Sequence, residues 1–125
     1  MPSISASAET VLVVSENSQI HKLSRHEIAD IFMGKSKNQA RVGHILPVDQ
    51  TQDTLREEFY RAYLGKSVPQ VKAHWAKIIF TGRGHPPPTV NNIEELKDKL
   101  KENPNAVGYA ERSKVDETLR IVNLE

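Results

Sequence analysis

Residues 67–88 read SVPQVKAHWAKIIFTGRGHPPP, and no other stretch limits the fold as strongly. Ser67 is a helix N-cap, with Gln70 in the partner position of a capping box. Pro69 stands in the first turn, where backbone N–H groups have no intrahelical acceptor to lose. Val71, Trp75, Ile78 and Ile79 follow at i, i+4, i+7 and i+8, which is one helical face, and the only Trp is its expected core anchor. Gly82 offers a left-handed terminus, and Pro86, Pro87 and Pro88 forbid continuation. The stretch predicts a helix that delivers a short loop, Gly82-Arg83-Gly84-His85, to a fixed place.

The flanking segments alternate between strand and helix signals. Residues 10–15 (TVLVVS) form a continuous β-branched and apolar run, as in a strand buried on both faces. Ser24 and Glu27 make a second capping box, Leu23 can staple onto Ile28, and Gly34 closes the helix whose buried stripe is Ile28, Ile31 and Phe32. Residues 42–48 (VGHILPV) read as a strand with Pro47 near its end. A helix capped by Thr54, with Glu57 as partner, or starting a few residues earlier, then carries Leu55, Phe59, Ala62 and Tyr63 along one side and stops at Gly65. Asn92 caps a fourth helix over 92–100, acidic at its start and basic at its end. Residues 106–110 (AVGYA) and 119–124 (LRIVNL) supply two more strands. The order predicts an α/β fold: a three-layer domain, residues 10–125, with a mostly parallel central sheet.

Composition narrows the function. With 125 residues the chain has enough core for one such domain. Seventeen basic and sixteen acidic residues leave a net charge of +1, so no global field holds nucleic acid or an anionic membrane. No apolar run approaches the ~20 residues of a membrane span. Cysteine is absent, which excludes disulfides and thiolate metal sites. The five histidines, His21, His26, His44, His74 and His85, show no metal-ligand spacing, and no nucleophile elbow or isolated carboxylate pair marks an enzyme. No metal and no cofactor is expected. Ala6-Ser7-Ala8 has the small-x-small form of a secretory cleavage site, with the signal sequence itself upstream of Met1. A plain Ser/Ala-rich tail over residues 1–9 is the equal alternative.

Three segments together resemble the phosphate-binding proteins of ABC importers, which have the type II periplasmic binding fold. KLSRHEIADIFMGK is similar to the family's L-T-x-x-x-[IL]-x-x-I-[FY]-x-G-K helix. Residues 47–64 match its passage from strand to helix, and NPNAVGY resembles its x-P-G-A-I-G-Y-V. FTGRGHPPPTV is of the kind seen in short, single-lobe relatives. The resemblance implies one lobe of a two-lobed periplasmic solute trap, with an ABC permease or sensor as partner. A single lobe lacks its opposite jaw and would need a partner chain or a homodimer to enclose a ligand.

The turn that grips phosphate in that family carries Arg and then Ser-Gly-Thr. Here it reads Asp49-Gln50-Thr51-Gln52-Asp53-Thr54. Like charges ~4 Å apart cost about 4 kcal/mol at an effective dielectric of 20. Asp49 and Asp53 are therefore expected to repel phosphate by more than the ~1 kcal/mol a helix N-terminus contributes. The resulting expectation is a small polar or anionic solute. The alternative is an interaction or sensory module that has kept the fold and lost phosphate.

Ligands in open α/β sheets sit beyond the carboxyl ends of the strands. The residues expected to touch one are Ser15, Glu16 and Asn17 after the first strand, then Gln50, Thr51, Thr54 and Arg56, and then Arg83. Plainer roles stand beside these. Asp49 and Asp53 suit helix capping, Arg56 an i,i+3 pair with Asp53, and Gly82 to His85 loop punctuation. Tyr60, Tyr63 and Tyr109 either stack along a cleft or, for the last two, fill core with their hydroxyls at the edge. Lys35, Lys37 and Arg41 read as a solvated basic loop.

Overall fold

The computed structural model describes residues 9–35 and 44–125. Ala6-Ser7-Ala8, Lys37, Arg41 and the Val42-Gly43 start of the expected second strand lie outside these residues. The elements run β1 (Thr10–Ser15), β2 (Lys22–Leu23), α1 (Arg25–Phe32), β3 (Leu46–Pro47), β4 (Asp49–Gln50) and α2 (Asp53–Phe59). A π-helical turn (Tyr60–Leu64) prolongs α2, and α3 (Val68–Phe80), β5 (Thr89–Val90), α4 (Ile93–Glu102) and β6 (Ala106–Glu111) follow. A 3-10 turn (Arg112–Lys114), β7 (Leu119–Ile121) and β8 (Asn123–Leu124) end the chain.

The central sheet has the order β3-β6-β1-β7. Only Val48 separates β3 from β4, which pairs with β5, and only Val122 separates β7 from β8, which pairs with β2. Those three outer pairings, β3 with β6, β4 with β5 and β2 with β8, are parallel. β1 is antiparallel to both β6 and β7. Every described strand therefore points one way except β1, which runs against the rest from the middle of the sheet.

Alternation along the central strands sends side chains to two cores. Leu12, Val14, Val107 and Tyr109 face α1, the α2 helix and α3, where Ile28, Phe32, Phe59 and Val71 complete the larger cluster. Val11, Val13, Ala106 and Ala110 face α4 through Leu96 and Leu100. Each such aliphatic side chain contributes about 1.5–3 kcal/mol on burial. This is the three-layer arrangement that the strand–helix alternation predicts. Gly108 explains the close approach of α4 to β6: a Cβ there would lie 2.6 Å from Leu96 Cδ1.

Both capping boxes form, at Ser24 with Glu27 and at Ser67 with Gln70, and Asn92 caps α4. Four local expectations are corrected. Thr54 does not cap α2; the helix starts at Asp53, behind a Gln52 that makes no side-chain cap bond. The π turn inserts an extra residue per turn, which rotates Tyr60 and Leu64 into the core and leaves Ala62 exposed. In α3 the buried stripe is Val71 with a half-buried Trp75 and Ile78, while Ile79 is 53% and Phe80 92% exposed. The helix touches the core along its first turns only, so its C-terminal end projects past the sheet's cover. The expected strand over 42–48 is narrower, since β3 begins at Leu46.

Candidate functional site

The carboxyl ends of β4, β5 and β6 meet at one edge of the sheet, level with the start of β1, because Thr10 is in register with Glu111. A cleft of about 220 Å³ opens there. Gln50 and Gln52 lie on one side, Asn91 and Asn92 on a second, and Glu111 and Lys114 on the third. Leu55, Ile93 and Ala110 supply its apolar wall. Thr51 Oγ1 donates to Asn91 Oδ1 at 2.8 Å, and Thr51 N–H donates to the Val90 carbonyl at 3.0 Å, so the first two sides are tied together. The Glu95 N–H donates to Asn92 Oδ1 at 2.9 Å, and the Asn91 N–H donates to Glu95 Oε1 at 2.8 Å.

Beneath the cleft lies a buried polar network. Asp49 accepts from its neighbour Gln50 N–H at 2.8 Å, from the Tyr60 hydroxyl at 2.6 Å and from the Tyr109 hydroxyl. Gln50 Nε2 donates to the Tyr109 carbonyl at 2.5 Å. Burial first, and then the Asp49 carboxylate, push both phenols well above the ordinary tyrosine range, so they are donors at any physiological pH. The Tyr109 ring stacks on Phe59 with centroids 3.9 Å apart, and Phe32 meets Phe59 edge-on at 4.8 Å. The end of β4 is thus held by hydrogen bonds and aromatic packing at once.

Asp49 therefore does not act on a solute in the way its sequence position suggests. Its carboxylate is neither a helix cap nor an acid facing the cleft but the acceptor of three internal hydrogen bonds. Asp53 stays outside, exposed and 3.4 Å from Arg56 Nη2, the i,i+3 pair that their spacing suggests. Arg56 Nε is buried with no hydrogen-bond partner among the described residues.

The eight expected site residues fall in separate places. Gln50 and Thr51 flank the cleft, Thr54 is exposed on the first turn of α2, and Arg56 lies one turn along it. Ser15, Glu16 and Asn17 sit at the opposite edge of the sheet, because β1 is reversed and Ser15 is in register with Leu119, the first residue of β7. Ser15 is buried and its hydroxyl accepts from the Asn17 N–H at 3.2 Å. Arg83 lines a different hollow of about 260 Å³ with Trp75, Ile78 and His85. Tyr60 and Tyr109 are core, and Tyr63 donates to the Thr10 carbonyl at 3.0 Å.

Sequence reasoning missed Asn91, Asn92, Glu111 and Lys114 as neighbours of this turn. A signal existed for the first two: Asn-Asn directly after a Thr-Val strand pair is itself a strand-to-helix junction. Glu111 and Lys114 carried none, since their position depends on the turn after β6. Among the described residues no three histidine, aspartate or glutamate side chains are grouped to hold a metal ion. No helix among them is long and apolar enough to cross a membrane.

A sheet with α4 on one face, the other helices on the opposite face and a cleft at the strand ends is similar in fold to part of solved ABC-type phosphate-binding proteins. The ABC-type phosphate transport receptor from Vibrio cholerae matches with a TM-score of 0.67 and 18% identity, over 92% of this chain and 45% of that one. A Clostridium perfringens protein, assigned as a phosphate ABC transporter substrate-binding protein and solved with phosphate bound, matches at 0.67 and 19%, over 92% and 44%. PstS from Borrelia burgdorferi matches at 0.60 and 14%, over 93% and 47%. The chain spans less than half the length of these structures, and at such identities the likeness is one of fold. No family model matches the sequence, and no curated protein matches it.

Proposed function

We propose that the chain is a solute-binding lobe that takes a small polar or anionic solute in the cleft between residues 50–52, 91–93 and 111–114. One observation carries this reading: three parallel strands end at the same cleft, where open α/β sheets bind their ligands. The fold likeness to phosphate transport receptors supports it, and so does the polar lining tied together by Thr51 and Asn91. An extracytoplasmic setting and an ABC permease or sensor as partner go with the reading. Thermal shift against phosphate, sulfate, carboxylates, sugars and amino acids tests it. A solute present at 100 Kd adds about 2.7 kcal/mol of stability, and a flat response to the whole panel sinks the proposal.

A specific observation favours the second reading, an interaction module without a solute. Ile79 and Phe80 stand exposed at the end of α3, and neither lines the cleft. A flat solute panel, together with a stable complex lost in Phe80→Ser, selects this reading.

A further inference from the structure

Two ionisable side chains line the cleft, Glu111 at the end of β6 and Lys114 at the end of the 3-10 turn. No ion pair joins them, and among the described residues Lys114 has no carboxylate partner. The segment that presents them is strapped from two sides. Arg112 Nε lies 3.0 Å from Glu9 Oε1, and the Arg112 N–H donates to the Glu9 carbonyl at 2.8 Å. Lys97 Nζ on α4 lies 2.7 Å from Asp116 Oδ2, whose other oxygen accepts from the Thr118 N–H at 2.9 Å. One free cation and one carboxylate are thereby displayed by a loop of fixed shape.

The neutral side chains opposite have a defined polarity. Asn91 Oδ1 already accepts from Thr51, and Asn92 Oδ1 already accepts from Glu95, which leaves both amide NH2 groups as donors. Donors and a cation therefore suit a carboxylate, while Glu111 suits an ammonium group. Leu55 and Ile93 leave an apolar wall for a small side chain. The cleft, of about 220 Å³, has room for a small amino acid. The two charges sum to zero, which opposes a phosphate dianion and matches a zwitterion.

We propose, on the solute-binding reading above, that this cleft is a zwitterion site for small α-amino acids, with the carboxylate on Lys114 and the ammonium on Glu111. Titration of the whole chain with L-alanine and L-serine, followed by amide NMR, tests this. Acetate, methylammonium and inorganic phosphate serve as probes carrying one charge or the wrong one. The expected result is a saturable shift of amides in 50–52, 91–93 and 110–114 with either amino acid. Acetate and methylammonium should bind at least tenfold more weakly. Glu111→Gln and Lys114→Met should each weaken amino-acid binding about tenfold. Phosphate binding at these amides, tighter in Glu111→Gln, overturns the inference and leaves the solute-binding reading standing. If none of these probes and no member of the wider solute panel moves these amides, both fall.

Discussion

The two ends of the sheet are built on different physics. At the carboxyl end, Asp49, Gln50, Tyr60 and Tyr109 form a buried hydrogen-bonded network, and polar side chains rise from it around an open cleft. At the other end, Trp75 packs on Gly34, and a more apolar groove runs from Ile31 to Pro86, Pro87 and Pro88. The difference teaches that a cleft lined with polar groups needs a floor fixed by directional bonds, whereas ring packing suffices where little but shape is demanded. A buried network is costly to break, because each orphaned donor retains its full desolvation penalty.

The sharpest way to break this comparison is Asp49→Ala. It leaves two buried phenol hydroxyls without an acceptor, at about 1–3 kcal/mol each, so urea unfolding should show a loss of roughly 2–6 kcal/mol. Asp49→Asn keeps an acceptor and should cost less. A loss below about 1 kcal/mol for the alanine variant would mean that the network does not hold the floor.

At the far end Gly34→Ala is the matching probe. Gly34 has φ +70°, and a Cβ there would come within 2.6 Å of the Trp75 ring. A loss of about 1–3 kcal/mol is expected, with Trp fluorescence changed. The same variant should leave solute binding at the cleft unaltered.

Alkaline titration sharpens the contrast further. Tyr60 and Tyr109 hold their protons more tightly in the folded chain than the ~10 of an unfolded tyrosine. The folded state thus binds protons that the unfolded chain has released. Stability should be full below about pH 10 and fall as pH rises above it, by at most about 1.4 kcal/mol per pH unit for each phenol. Tyr60→Phe should flatten that slope. At the acid end Asp116, held below the carboxylate range by Lys97 and Thr118, contributes in the opposite sense: its share is present at neutral pH and fades on acidification.

The smallest effects belong to the surface. Thr51→Val removes the exposed bond to Asn91 and should change stability by about 1 kcal/mol or less, while loosening the cleft's rim enough to weaken any solute. Phe80→Ser, at a side chain 92% exposed, should leave stability within about 0.5 kcal/mol. An equal loss of binding in both variants would erase the distinction between cleft and helix tip.

Local chemistry made much of this legible. The capping boxes at Ser24 and Ser67, the Asn92 cap, the stop at Gly65 and the fully buried run of β1 all depend on neighbours within a few residues. So does the alternation that yields helices on both faces of a sheet. The motifs NPNAVGY and KLSRHEIADIFMGK likewise pointed to the class of fold that the structure has. Strand direction was not written in any of these. TVLVVS is equally apolar in either orientation, and only its pairing with β6 and β7 reverses it, which carries Ser15, Glu16 and Asn17 away from the cleft. Asp49 presents the same limit: its sequence places an acid at a helix start, but two tyrosines 11 and 60 residues downstream draw its carboxylate inward. Periodicity and caps are local energies, set by the chain itself. The partner of a buried charge and the direction of a strand are decided by long-range contacts that exist only once the layers have closed.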